Sequence, residues 1–151
     1  MRATRLVEDV VSGLVTLQER MVNLVNQLNM PLFEVSLVIG RHLSQLMDTL
    51  GKHLEQHPQT LNENVTTPWR IESTAQTSSS EISLDALMKV ADRQRMDILE
   101  TLIRVTLVEI NISIIDAILA LRSWEHLVRT QLAKATSPGQ LFSPVVIPDD
   151  W

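Results

Sequence analysis

Apolar residues alternate at spacings of three and four positions between Thr4 and Asn29. A heptad pattern of this kind places the apolar side chains along one side of a helix. The seam consists of Val7, Val10, Leu14, Leu17, Met21, Leu24 and Leu28. The pattern therefore predicts a helix over residues 4–29 with an apolar face that packs against another helix.

A second helix is predicted directly after Pro31. Proline lacks a backbone N–H donor and disfavours helical geometry at the preceding Met30, so the first helix should end or kink there. Over residues 32–56 the apolar side chains again share one helical face, and Pro58 ends the pattern. Residues 1–57 are therefore predicted to form a helical hairpin with a heptad seam, or else one kinked rod.

Residues 58–82 lack any helical or strand periodicity. The stretch is rich in Thr, Ser, Asn and Gln, and its one aromatic residue is Trp69. Such a composition offers little apolar area to offset the entropic cost of ordering the chain. We expect a flexible linker that divides the protein into two parts.

Residues 83–135 form a second apolar region, whose structure between Ile98 and Leu121 is ambiguous. Apolar and polar residues alternate around Val105 and again around Ile112, and the β-branched side chains are dense, which favours two strands. The absence of Gly and Pro from this run favours helix instead. The predicted fold class is mainly α, with a C-terminal α-β-β-α module or, alternatively, an all-α helical bundle.

The last segment, residues 136–151, contains three prolines and ends in a tryptophan. It is predicted to be extended and exposed. Because tryptophan is enriched at binding hot spots, Trp151 is a candidate for insertion into a partner's groove, against the alternative of a disordered terminus. Trp124 lies at helical spacing from Leu121 and Leu127 and is predicted to be a core residue.

Composition narrows the classes of function. The 151 residues include four glycines and no cysteine, which argues against glycine-rich phosphate loops, disulfides and thiolate metal sites. The net charge of −5 argues against nucleic acid as a partner. The apolar runs are too short or too polar to span a bilayer, so no transmembrane segment is predicted and the cytoplasm is the expected location.

Few side chains are candidates for chemistry. His53 and His57 are four residues apart and would share one helix face, as a metal site requires, but an exposed helix end is the simpler interpretation. Glu100, Glu109 and Asp116 lie within the apolar region and are interpreted as solvent-facing residues or as partners of Arg104 and Arg122. No catalytic, cofactor-binding or metal-binding residue is predicted, and the protein is not expected to be an enzyme.

Two short motifs carry a family resemblance. Residues 104–111 read RVTLVEIN, and residues 115–117 read IDA. Both are similar to motifs of the gas vesicle structural protein family. The first resembles that family's first strand, which reads Arg-Val-Ser-Leu-Val before a turn and Ile-Glu, and the second resembles the Ile-Glu-Ala that follows in the family. Ser123 and Glu125 match a Ser-Val-Asp-like stretch after the family's second strand, whereas Met96 replaces a family glycine.

The resemblance implies the α-β-β-α module and a minor or accessory role in the vesicle wall. The residues themselves leave a second function open, that of an all-helical oligomeric scaffold or a secretion-type chaperone that binds a partner protein. In both interpretations apolar seams are buried by association. We therefore expect a homo-oligomer that also contacts other structural proteins.

Overall fold

The computed structural model describes residues 2–71, 84–135 and 137–151. Within these ranges the chain forms helices and no β-strand. The elements are α1 (Arg2–Leu28), α2 (Leu32–Gln56), α3 (Glu63–Thr66), α4 (Leu84–Val90), α5 (Arg93–Ile110), α6 (Ile114–Ala133) and a 3-10 turn over Pro138–Phe142. The mainly α prediction is confirmed.

The break between α1 and α2 falls where the sequence predicted it. Asn29 adopts a left-handed backbone conformation with φ of 47°. The N–H of Met30 donates to the carbonyl of Val25 at 3.1 Å, and the N–H of Asn29 donates to Asn26 at 3.3 Å. This pair of hydrogen bonds is a Schellman motif, which satisfies carbonyls that the end of the helix would leave free. Pro31 then starts the next helix.

The predicted β-hairpin between residues 98 and 121 is wrong, and so is the α-β-β-α module. The chain there forms α5 and α6, joined by a turn in which Asn111 has φ of 52°. Asparagine tolerates this left-handed conformation and can end a helix without glycine. Ser113 then caps α6, because its Oγ accepts from the N–H of Asp116 at 3.1 Å and donates to the Asp116 carboxylate at 2.9 Å.

Of the four long helices, α1 and α2 from the first half of the chain pack mainly against α5 and α6 from the second half. The closest packing joins α2 to α6, α1 to α5 and α2 to α5. Gly13 lies against Ile110 and Arg20 contacts Thr106, so α1 and α5 are antiparallel. The predicted hairpin of residues 1–57 therefore does not bury its seam within itself, because each of its helices packs on the second half.

One hydrophobic core contains residues from all four long helices. Seam residues Leu17 and Met21 are buried, as the heptad pattern predicted, and Trp124 is buried as its spacing predicted. The β-branched side chains of Ile103 and Ile118, which favoured strand in the sequence, are fully buried on helix faces. Tertiary packing of these helix faces outweighs the modest preference of such residues for strands.

The first part of the predicted flexible linker is packed against α6. Val65, in α3, is buried, and its carbonyl accepts a hydrogen bond from Arg122 Nε at 3.2 Å. Arg129 Nη1 donates to the carbonyl of Trp69 at 2.8 Å. The flexible-linker prediction is therefore wrong for residues 58–71, and the rest of the predicted linker, from residue 72 to 82, lies outside the described residues.

The tail is held against the helices at several points, although most of its described residues are exposed. Its backbone lies beside the α1–α2 break, where the N–H of Leu32 donates to Ser143 at 2.9 Å and the N–H of Val145 donates to Met30 at 3.1 Å. Val145 is buried in the core. The tail ends with Trp151 edge-on to Trp124, their ring centroids 5.0 Å apart. The apolar side chains that tie down the tail come from distant parts of the sequence, so the tail alone does not reveal them.

Candidate interaction surface

The histidine pair lies at the exposed end of α2. The rings of His53 and His57 lie with their centroids 5.0 Å apart. In the described part of the chain, no three His, Asp or Glu side chains come together as a metal site. The pair therefore has no third ligand among these residues.

The three candidate carboxylates are dispersed and do not form a shared site. Glu109 receives two hydrogen bonds from the guanidinium of Arg20, at 2.6 and 3.2 Å. This contact holds the pKa of the Glu109 carboxyl below its usual value. Asp116 is part of the α6 cap, and the backbone carbonyl of Glu100 accepts a hydrogen bond from a histidine on α2. These residues stabilise helix ends and helix contacts.

That histidine, His42, is buried between α2 and α5. Its Nε2 donates to the carbonyl of Glu100 at 3.2 Å. Burial lowers the pKa of His42, because removal from water disfavours the charged imidazolium. The neutral ring therefore serves as a polar link within the helix packing.

A buried ion pair, not foreseen from the sequence, joins α2 to α5. Glu34 is 1% exposed, and Arg95 donates to its two oxygens from Nε and Nη2, each at 2.6 Å. The backbone N–H of Asp92, which caps α5, also donates to Glu34 at 3.2 Å. The hydrogen bonds that Arg95 donates to the Glu34 carboxylate raise the pKa of Arg95. Glu34 thereby ties the first turn of α2 to the first turn of α5.

An apolar groove of about 620 Å³ runs between α1 and α6. We call it the α1–α6 groove. One wall consists of α1 residues from Val11 to Asn23, and the other of Ala120, Ser123 and Trp124 on α6. The indole N–H of Trp124 donates to Gln18 Oε1 at 2.8 Å, which links the two walls.

The tail bounds the α1–α6 groove on its remaining side. Asp150 and Trp151 line it, and the ring of Trp151 lies perpendicular to that of Trp124. The tail is held near this position by Gln131, whose side chain accepts from the N–H of Val146 at 3.0 Å and donates to its carbonyl at 2.6 Å. Sequence reasoning treated Trp124 and Trp151 separately, and the fold brings them together.

A row of valines continues the apolar surface of the groove along α1. Val7, Val11 and Val15 are 62%, 54% and 49% exposed. They recur every four residues, so they follow one another along the same side of the helix. We call them the valine stripe. Val7 belongs to the predicted heptad seam but is not covered by any helix in the described residues.

The charge of the α1–α6 groove has one sign. Among the residues that line it, Glu19 and Asp150 are the charged ones, and both are acidic. An apolar surface with an acidic rim suits an occupant that is apolar with basic residues at its edge. This groove is not foreseeable from the sequence, because its walls come from α1, α6 and the tail.

A second exposed apolar row lies on α5. Ile98, Val105 and Val108 are 43%, 52% and 77% exposed. Unlike Val11 and Val15, these residues do not line the α1–α6 groove. They provide a matched reference surface for experiments on the stripe.

Within the described ranges, no helix is both long and apolar enough to cross a membrane. No protein-family model, curated protein or solved structure matches this chain.

Proposed function

We propose that this chain is a non-catalytic helical scaffold that assembles with other copies of itself through the valine stripe and the α1–α6 groove. The observation that carries the proposal is the exposure of three consecutive stripe valines beside an apolar groove. Contiguous exposed apolar surface is typical of protein interaction sites. Burying it against a second protein is favoured by about 25 cal/mol per Å² of apolar area.

The placement of the charged side chains supports a structural function. The carboxylates of Glu34, Glu109 and Glu125 pair with arginines, and Asp116 caps a helix. None of these four groups lies in the α1–α6 groove. The groove therefore offers apolar contact area and an acidic rim, which favours binding of a protein surface over chemistry on a small substrate.

A role in gas vesicles stays a prediction from the motif likeness. Residues 104–111 and 115–117, which carry that likeness, lie in helices and in the turn between them. The scaffold proposal does not depend on a strand module. The cytoplasmic location also stays a prediction from the sequence.

Sedimentation velocity of the full chain, from about 1 to 100 µM, tests the proposal. We expect a concentration-dependent shift from monomer to a defined oligomer. Val11→Glu should weaken this association at least tenfold, because it places a charge in the stripe. Val105→Glu is the matched control, since Val105 is 52% exposed and Val11 is 54% exposed. A wild-type protein that stays monomeric throughout the range would contradict the proposal.

A further inference from the structure

Two histidines lie side by side at the end of α2. His53 lies in the last turn of the helix, and His57 is the residue that ends it. The helical hydrogen bonding reaches His57, whose backbone N–H donates to the carbonyl of His53 at 2.9 Å. Residues four apart in a helix are neighbours on its surface, and the centroids of the two rings are 5.0 Å apart. The backbone of α2 therefore places two imidazoles, which are common metal ligands, next to each other.

The separation of the rings matches that of two imidazoles bound to one metal ion. An imidazole nitrogen binds zinc at about 2.0–2.1 Å, and the ring centre lies about 1.1 Å further away, so the ion lies about 3.2 Å from each centre. Two such rings are about 4.5 Å apart at a right angle and about 5.2 Å apart at the tetrahedral angle. The 5.0 Å between this pair lies within these limits. The backbone therefore needs no rearrangement for one ion to bind both rings.

Both rings are also open to solvent and free of other polar partners. His53 and His57 are exposed, and within the described residues neither imidazole takes part in a hydrogen bond. The two other histidines of the chain differ, because His42 is buried and bonded to a backbone carbonyl and His126 lies against the ring of Trp69. The pair at the end of α2 can therefore bind an ion, with water in the remaining coordination positions.

From this geometry we propose that His53 and His57 form a binding site for one divalent transition-metal ion of the class Zn²⁺, Ni²⁺ and Cu²⁺. Imidazole nitrogens suit all three ions, and Cu²⁺ should bind most tightly. The net charge of −5 favours the approach of a cation. The site is independent of the proposed self-association, because neither histidine lies in the valine stripe or the α1–α6 groove.

A bound ion would fasten the last turn of α2. Pro58 stops the helix directly after the pair, and Gly51 lowers the helix preference directly before it. A link between His53 and His57 fixes the turn that lies between these two positions. Since the folded chain holds the two rings together and the unfolded chain does not, the ion should bind the folded state more tightly and stabilise it.

Isothermal titration calorimetry of the full chain with the chlorides of Zn²⁺, Ni²⁺ and Cu²⁺ tests the site. We expect one ion per chain, with the highest affinity for Cu²⁺. His53→Gln and His57→Gln should each weaken binding at least tenfold. His126→Gln is the matched control, because it removes a histidine outside the pair, and it should leave the affinity unchanged. Circular dichroism verifies that each variant keeps its helices.

A variant that keeps two histidines tests the spacing. His57→Gln combined with Lys52→His places the two rings at adjacent positions, which do not face each other on a helix. Loss of the Lys52 charge by itself favours a cation, so weaker binding by this variant cannot result from its net charge. Electron paramagnetic resonance of the Cu²⁺ form should show two imidazole nitrogens on one ion in the wild type and one in this variant.

The outcomes separate the metal site from other forms of binding. Equal affinity in the spacing variant, or affinity that survives removal of both histidines, would overturn the proposal. One ion per two chains would also overturn it, because the ion would then bridge copies. Saturating Zn²⁺ should raise the urea midpoint of the wild type but not that of the variant without both histidines. A monomeric wild type that binds the ion would refute the proposed self-association and support the metal site.

Discussion

The ion pair of Glu34 and Arg95 leads to a prediction about which partner is more costly to remove. The Glu34 side chain is 1% exposed, whereas that of Arg95 is 26% exposed. Replacing Arg95 by methionine leaves a buried carboxylate without its charged partner. Replacing Glu34 by glutamine removes the buried charge, and the arginine can turn towards water. We therefore expect Arg95→Met to destabilise the fold more than Glu34→Gln.

The burial of each partner gives the expected magnitudes. Removing one partner of a buried ion pair costs about 3–5 kcal/mol when the other charge stays buried, which applies to Arg95→Met. After Glu34→Gln, the amide can still accept from the N–H of Asp92, and Arg95 retains access to solvent. Loss of the charge-assisted hydrogen bonds should then cost about 1–2 kcal/mol. The double variant should be more stable than Arg95→Met alone, because it no longer buries an unpaired charge.

Urea unfolding measures these differences. Circular dichroism at the helical band and tryptophan fluorescence should be followed together for wild type, both single variants and the double variant, at one protein concentration and pH 7. The double-mutant cycle isolates the interaction between the two side chains. Equal costs for the two single variants, or a double variant less stable than Arg95→Met, would refute the explanation from unequal burial.

Three further predictions concern packing, pH and the tail. Gly40→Ala adds a methyl group that meets nothing within 4 Å and should raise the free energy of unfolding by up to about 1 kcal/mol. Gly13→Ala places its methyl group 3.0 Å from the side chain of Ile110 on α5, so it should stabilise the fold less. Equal urea midpoints for the two variants would contradict the close approach of α1 and α5. Burial lowers the pKa of His42 in the folded state, so as the pH falls below about 6.5 the unfolded chain takes up the proton first. The free energy of unfolding should therefore decrease as the pH falls from 6.5 to 5, by at most about 1.4 kcal/mol per pH unit. His42→Gln should flatten this slope in a series of urea titrations, and an unchanged slope would count against the buried imidazole as its source. Trp151→Ala should lower stability by about 1–2 kcal/mol through loss of its contact with Trp124, and an unchanged midpoint would show that the tail contact does not stabilise the bundle.

The largest error in reading the sequence came from a turn without glycine or proline. Asn111 ends α5 in the left-handed conformation, and Ser113 with Asp116 starts α6. This Asn-x-Ser-x-x-Asp pattern is a signal of one helix ending and another beginning, and it was present in the sequence. The density of β-branched residues around it favours strand instead, but strand preference depends strongly on packing.

The local structure of the first half follows from short-range patterns in the sequence. The heptad spacing specifies a helix, and Pro31 and Pro58 limit how far α2 can extend, because proline lacks the N–H that a continuing helix requires. Composition likewise argued against nucleotide-binding loops and thiolate chemistry before any fold was known. The spacing of apolar residues and the missing backbone N–H of proline act over only a few residues. Their effects can therefore be predicted without knowledge of the tertiary structure.

Which helix faces are covered depends on contacts between distant parts of the chain. The seam of α1 is buried at Leu17 and Met21 but exposed at Val7, because α5 ends at Ile110, beside Gly13. The α1–α6 groove and the contact of Trp151 with Trp124 likewise join residues that are far apart in the chain. A hydrophobic pattern states that a face must be buried, but the partner that buries it is chosen by packing between distant segments.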